Sequence, residues 1–72
     1  MKIQELMFRA LRNRFEAERD EALATLEVYF TNPAGIGEHP QIIDEMAKLI
    51  NKLTSAEDNL SCLTRTYKEY IN

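Results

Sequence analysis

The stretch that decides the fold is residues 31–40, which read TNPAGIGEHP. These ten residues contain both glycines, both prolines and the only histidine of the 72-residue chain. Glycine and proline are the strongest breakers of regular structure, and neither occurs in the long stretches on either side. The sequence therefore predicts one all-α domain, residues 1–72, made of two long helices that are joined once. We expect helices over about residues 2–31 and 40–70, with a loop over residues 32–39.

The second predicted helix has the clearer apolar pattern. Its apolar residues recur at alternating steps of three and four, a heptad spacing typical of helices that pack lengthwise. This seam consists of Met46, Leu49, Leu53, Ala56, Leu60, Leu63, Tyr67 and Tyr70, and Ile42 extends it toward the loop. Pro40 suits the first turn of this helix, because the N–H that proline lacks would have no partner there.

The first predicted helix carries a weaker seam of the same kind. Its members are Phe8, Leu11, Phe15, Ala22, Leu26 and Tyr29, with Ile3 and Met7 before them. The pattern fails in the middle, because Glu18 and Arg19 stand where the next large apolar residue is due. We expect the helix to end at Thr31, since Pro33 disfavours helical backbone at Asn32.

Two long helices with a short connection are expected to pack side by side as an antiparallel, coiled-coil-like hairpin. Contacts should then pair positions whose residue numbers add to roughly 71, so that Phe8 lies level with Leu63. The same register places Arg14 near Glu57 and Asp58, and predicts a salt bridge between the helices on the surface.

A second apolar stripe flanks the two seams in the half of the hairpin nearest the loop. Its members are Leu23, Phe30, Ile43, Ala47 and Ile50. Two helices that face each other cannot cover both stripes, and an uncovered apolar patch usually marks an interface. The simplest occupant is another copy of the chain, which would give a homodimer with a four-helix bundle or a larger helical oligomer.

The composition argues against several classes of function. A net charge of −3 does not favour nucleic acid as a partner, and no apolar run reaches the roughly 18 residues that a membrane span needs. One histidine and one cysteine form neither a nucleophile–base pair nor a metal site by spacing, so we expect no enzyme and no cofactor. Cys62 has no partner cysteine in the chain, which favours a reducing cytoplasm. We expect it to pack rather than to react.

Two segments remain as candidate binding surfaces. The first is the loop, with Asn32, Pro33, Gly35, Ile36, Gly37, Glu38 and His39. Glu38 and His39 could recognise a partner there; alternatively, the loop only turns the chain and caps the second helix. The second is the basic end opposite the loop, where an oligomer could hold an anion or a nucleotide. Its residues are Arg9, Arg12, Arg14, Arg65, Lys68, Tyr67 and Tyr70, and the alternative is a solvated helix surface.

The loop also carries the motif Asn-Pro-x-Gly-Ile-Gly-Glu-His-Pro, preceded by Leu26 and Tyr29 in the spacing Leu-x-x-Tyr and followed by an acidic amphipathic helix. This pattern resembles small uncharacterised helical proteins of large tailed bacteriophages, and the resemblance covers about residues 22–63. It implies a virus-encoded accessory or virion-associated protein that acts in the bacterial host cytoplasm. From the apolar stripe we expect the chain to bind itself, and a host or viral protein is the other expected partner. The resemblance assigns no catalytic or binding residue.

Overall fold

The computed structural model describes residues 2–32 and 41–71 of the chain, and it consists of two helices packed against each other. Helix α1 runs over Ile3–Thr31 and helix α2 over Ile42–Thr66, and one 3-10 turn follows at Lys68–Tyr70. The expected all-α helical hairpin is confirmed, and the described residues contain no strand. The molecule is a rod with principal extents of 50 × 18 × 15 Å.

Helix α1 ends at Thr31, as the position of Pro33 predicts. Asn32 leaves the helix with φ −145° and ψ 62°, outside the helical region. Its N–H still donates to the carbonyl of Val28 at 2.9 Å, so the last turn of the helix is closed by a backbone hydrogen bond.

Helix α2 ends four residues earlier than expected, at Thr66. Tyr67 has φ −121° and ψ 36°, and the chain then tightens into the 3-10 turn. Thr64, Thr66 and Tyr67 are poor helix formers because their side chains lose rotamer freedom against the preceding turn. The tighter turn brings the rings of Tyr67 and Tyr70 together, with their centroids 6.5 Å apart. The expected start at Pro40 lies outside the described residues.

The core between the helices is thin. The buried apolar side chains among the described residues are Phe8, Ala22, Leu26, Ala56 and Leu63. Ala22 and Ala56 are 0% and 1% exposed, and side chains this small allow the two helices to approach closely. Most other members of the two seams are half-buried, which is what a two-helix packing without a third layer permits.

Four expected seam members are instead exposed: Ile3, Met7, Leu11 and Tyr67. For Leu11 the reason is that the half-buried residue after Phe8 is its neighbour Arg12. Arginine can cover apolar surface with its stem while its charged head stays in water. The Arg12 guanidinium carbon lies 5.7 Å from the centroid of the Phe8 ring, a cation–π arrangement.

An ion pair between Lys52 Nζ and Glu21 Oε1, at 2.6 Å, joins the two helices. It agrees with the expected antiparallel register to within two residues. The expected bridge from Arg14 to α2 is wrong, because Arg14 Nε lies 3.3 Å from Glu18 Oε1 in its own helix. A partner four residues along the same helix is always within reach, whatever the packing between the helices.

The first prediction compares two neighbouring residues of α2. Leu63 is buried, and Leu63→Ala should lower the free energy of unfolding by about 2–5 kcal/mol. Cys62 is exposed, contrary to the packing role expected from the sequence, because it lies one residue off the buried seam. Cys62→Ser should therefore change the free energy of unfolding by less than about 0.5 kcal/mol. Urea titration followed by circular dichroism measures both values, and equal losses would mean that the register of α2 is wrong.

Candidate functional site

The stripe near the loop is exposed on both helices, and we call its five residues the apolar edge. They are Leu23, Phe30, Ile43, Ala47 and Ile50. Leu23 and Ile50 are each 47% exposed, whereas Phe30 and Ile43 project further, at 69% and 72%. Large apolar side chains with this much contact with water are the residues an interface would bury.

The ion pair between Glu21 and Lys52 shows how the apolar edge is assembled. Two residues along a helix correspond to a rotation of about 200°, so Leu23 and Ile50 lie on the opposite edge of the hairpin from this pair. Moving two residues toward the loop from Glu21 in α1, and two residues toward the loop from Lys52 in α2, brings Leu23 level with Ile50. A further heptad in each helix brings Phe30 level with Ile43. The apolar edge is therefore two stacked layers, each with one large side chain from each helix.

A charged layer borders the apolar edge on the side away from the loop. One heptad back from Leu23 and Ile50, the same edge carries Glu16 and Glu57. Arg12 Nε lies 3.9 Å from Glu16 Oε1, and both side chains are partly accessible to solvent. An apolar patch with a charged rim is the usual anatomy of a protein–protein interface.

The total accessible surface area of the chain gives a second measure of how much surface the hairpin leaves exposed. It is 5467 Å², whereas a compact monomer of 8.4 kDa exposes about 4,600 Å². The difference is between about 800 and 900 Å², close to the roughly 800 Å² that each partner buries in a standard interface.

A small cavity at the end opposite the loop brings together part of the expected anion site. Arg9, Arg12 and Tyr70 line it with Phe8, but so does Glu5, whose carboxylate opposes an anion. Its volume is about 70 Å³, the room of about two water molecules. Ligand sites for molecules the size of a nucleotide occupy roughly 300–1,000 Å³.

The remaining members of the expected anion site do not join this cavity. Arg14 pairs with Glu18, and Arg65 Nη1 donates to Ser61 Oγ at 3.4 Å in its own helix. Tyr67 lines a different cavity, an apolar groove of about 270 Å³. The groove is formed by Gln4, Met7, Phe8, Leu11, Leu63, Tyr67 and Tyr70. Neither cavity is lined by Arg14, Arg65 or Lys68, so the seven residues do not form one site.

Sequence reasoning missed both this groove and the acid in the small cavity. The heptad pattern predicts Met7 and Leu11 in the buried seam, whereas both are exposed and lie one helical turn apart. Glu5 lies four residues before Arg9, the spacing that places two side chains on the same side of a helix. That spacing was a signal in the sequence for a carboxylate beside Arg9.

Of the expected recognition loop, the structure describes only Asn32; Pro33, Gly35, Ile36, Gly37, Glu38 and His39 lie outside the described residues. Within residues 2–32 and 41–71, no group of His, Cys, Asp and Glu side chains is placed to hold a metal ion. In the same part of the chain, neither helix is long and apolar enough to cross a membrane.

Comparison with known proteins leaves the function to be argued from the geometry. No family model matches the chain, and neither a curated protein nor a solved structure matches it. Among the described residues, the apolar edge is the surface whose chemistry most clearly indicates a binding role.

The second prediction concerns nucleotides at the basic end. Because the cavity beside Arg9 and Arg12 is small and contains Glu5, ATP should not saturate the protein at concentrations up to about 1 mM, equivalent to less than about 4 kcal/mol of binding free energy. Titration of ¹⁵N-labelled protein, with the backbone amide shifts of residues 5–12 as the signal, measures this. Saturable shifts at micromolar ATP would contradict the prediction, and Arg9→Ala would then test whether this cavity is the site.

Proposed function

We propose that this chain is a non-enzymatic assembly module that acts through protein–protein contacts, and that its first partner is a second copy of itself. The observation that carries the proposal is the apolar edge. Two layers of large apolar side chains lie on one edge of the hairpin, exposed between 47% and 72%. A chain with so thin a core is expected to gain stability by covering this surface.

A second copy fits the apolar edge better than an unrelated partner of unspecified shape. Each layer contains one side chain from α1 and one from α2, so the edge is built from two similar halves. A two-fold axis through the centre of such an edge places like surface against like surface, which is the geometry of an isologous dimer. Two hairpins joined in this way form a four-helix bundle.

The proposed biological setting is a bacteriophage. The motif around the loop supports it, through the resemblance of residues 22–63 to small helical phage proteins. In this setting the chain works as a virus-encoded accessory protein in the bacterial host cytoplasm, or in association with the virion. The assembled form could then present other surfaces, such as the loop, to a host or viral protein.

The third prediction tests the self-association directly. Ile50→Glu places a carboxylate in one of the two layers of the apolar edge, and burying an unpaired charge is strongly unfavourable. The dissociation constant of the oligomer should rise by a factor on the order of 100, equivalent to about 3 kcal/mol. Light scattering coupled to size-exclusion chromatography, at several micromolar loading concentrations, measures the change in mass.

The matched control is Val28→Glu. Val28 is 49% exposed, nearly the same as Ile50, but it lies two residues before Phe30 and hence about 200° around the helix. Val28→Glu should leave the mass of the oligomer unchanged. A monomeric wild-type protein, or equal weakening by both variants with circular dichroism unchanged, would count against the apolar edge as the interface.

A further inference from the structure

We propose that the two copies pack along the apolar edge in opposite directions, with their loops at the two ends of the assembly. This inference rests on the proposed self-association and adds the orientation of the partner. Two orientations satisfy two-fold symmetry. In the parallel one each layer meets its own copy, whereas in the antiparallel one the layer of Leu23 and Ile50 meets the partner's layer of Phe30 and Ile43.

Charge favours the antiparallel orientation. In a parallel dimer the layer of Glu16 and Glu57 would meet the same layer of the partner, which puts four carboxylates at one level. Arg12 is within ion-pair distance of Glu16, but no described cation pairs with Glu57. In the antiparallel dimer the two acidic layers are about 30 Å apart at 1.5 Å per residue. This separation exceeds the Debye length of about 8 Å at physiological ionic strength, so the repulsion is screened.

Shape favours the same orientation. Phe30 and Ile43 project from the hairpin, with 69% and 72% of their surface exposed, whereas Leu23 and Ile50 are more recessed, at 47% each. The antiparallel dimer places the projecting layer of each copy against the recessed layer of the other. The parallel dimer would place projecting side chains against each other and leave a gap between the recessed ones, and gaps in an interface forfeit dispersion contacts.

The native cysteine allows a test of the orientation without any substitution. Cys62 is exposed, and it is 12 residues from Ile50 on α2, toward the end opposite the loop. A nitroxide attached to Cys62 therefore reports on the separation of the two open ends. Double electron–electron resonance on the labelled wild-type protein should give one distance of about 50 Å for the antiparallel dimer, from the rise of 1.5 Å per residue. A parallel dimer would give about 25–30 Å, set only by the width of a bundle with helices 8–10 Å apart.

Two controls identify the signal as intermolecular and specific. Dilution of labelled with excess unlabelled protein should remove the dipolar modulation, and labelled Ile50→Glu should lose it at the same concentration. A distance near 50 Å with the modulation depth of two spins supports the proposal. A distance below about 30 Å overturns the orientation while leaving self-association intact. Absence of intermolecular modulation in the wild-type protein, with light scattering reporting a monomer, overturns the self-association and the orientation together.

Discussion

The whole structure depends on one geometric constraint: two helices that face only each other can bury only one stripe of each. With no third layer, the described core is limited to five buried side chains, two of them alanines. Small domains of this size are marginal because folding removes only about 60% of the surface of the unfolded chain from water. Every apolar residue outside the single buried seam stays in contact with solvent, and this is why the apolar edge exists in the isolated chain.

The register between the helices decides where these solvent-exposed apolar residues lie. The contact between Lys52 and Glu21 places polar side chains on one edge of the hairpin, and the same register aligns Leu23 with Ile50 on the other. The ion pair itself contributes little stability, since Glu21 is largely exposed and such pairs are typically worth under about 1 kcal/mol. The pair is informative because it reports the register between α1 and α2. A shift of one residue in either helix would break up the two apolar layers. The hairpin thus carries the Glu21–Lys52 pair on one edge and the layers of the apolar edge on the other.

The helices, the end of α1 and the exposed stripe could all be predicted from the sequence. Breakers confined to residues 31–40 leave no alternative to two long helices, and periodicity identifies residues that a facing helix cannot cover. The sequence did not predict which of two neighbouring lines on α1 is buried. Leu11 and Arg12 are adjacent, and periodicity predicts the apolar residue as the core member, yet Arg12 is the half-buried one. Which of the two residues faces α2 depends on how α2 aligns with the whole of α1. It also depends on the ability of the aliphatic arginine stem to pack against apolar side chains, and apolar periodicity does not take this into account.

The grouping of residues at the basic end, opposite the loop, is likewise hard to predict from the sequence. Arg9 and Arg12 are far from Tyr70 in the sequence and meet it where α2 stops at Thr66 and a tight turn follows. Helix ends of this kind are decided by weak propensities and by the packing of a few side chains, so they are hard to place from sequence. Charge and position predict Arg14 and Arg65 in the same site, but each makes its contact within its own helix.

The most direct test of this account is the thermal unfolding of the unmodified chain as a function of its concentration. If covering the apolar edge with a second copy is part of folding, mass action makes the melting temperature depend on protein concentration. For a dimer of this size, a hundredfold increase in concentration should raise the melting temperature by about 10 °C, given an unfolding enthalpy of about 0.7 kcal/mol per residue. Circular dichroism at 222 nm over 1–100 µM, with path lengths adjusted to match, gives the result. A melting temperature that does not change over this range would contradict the account, because the thin core of one hairpin would then be sufficient by itself.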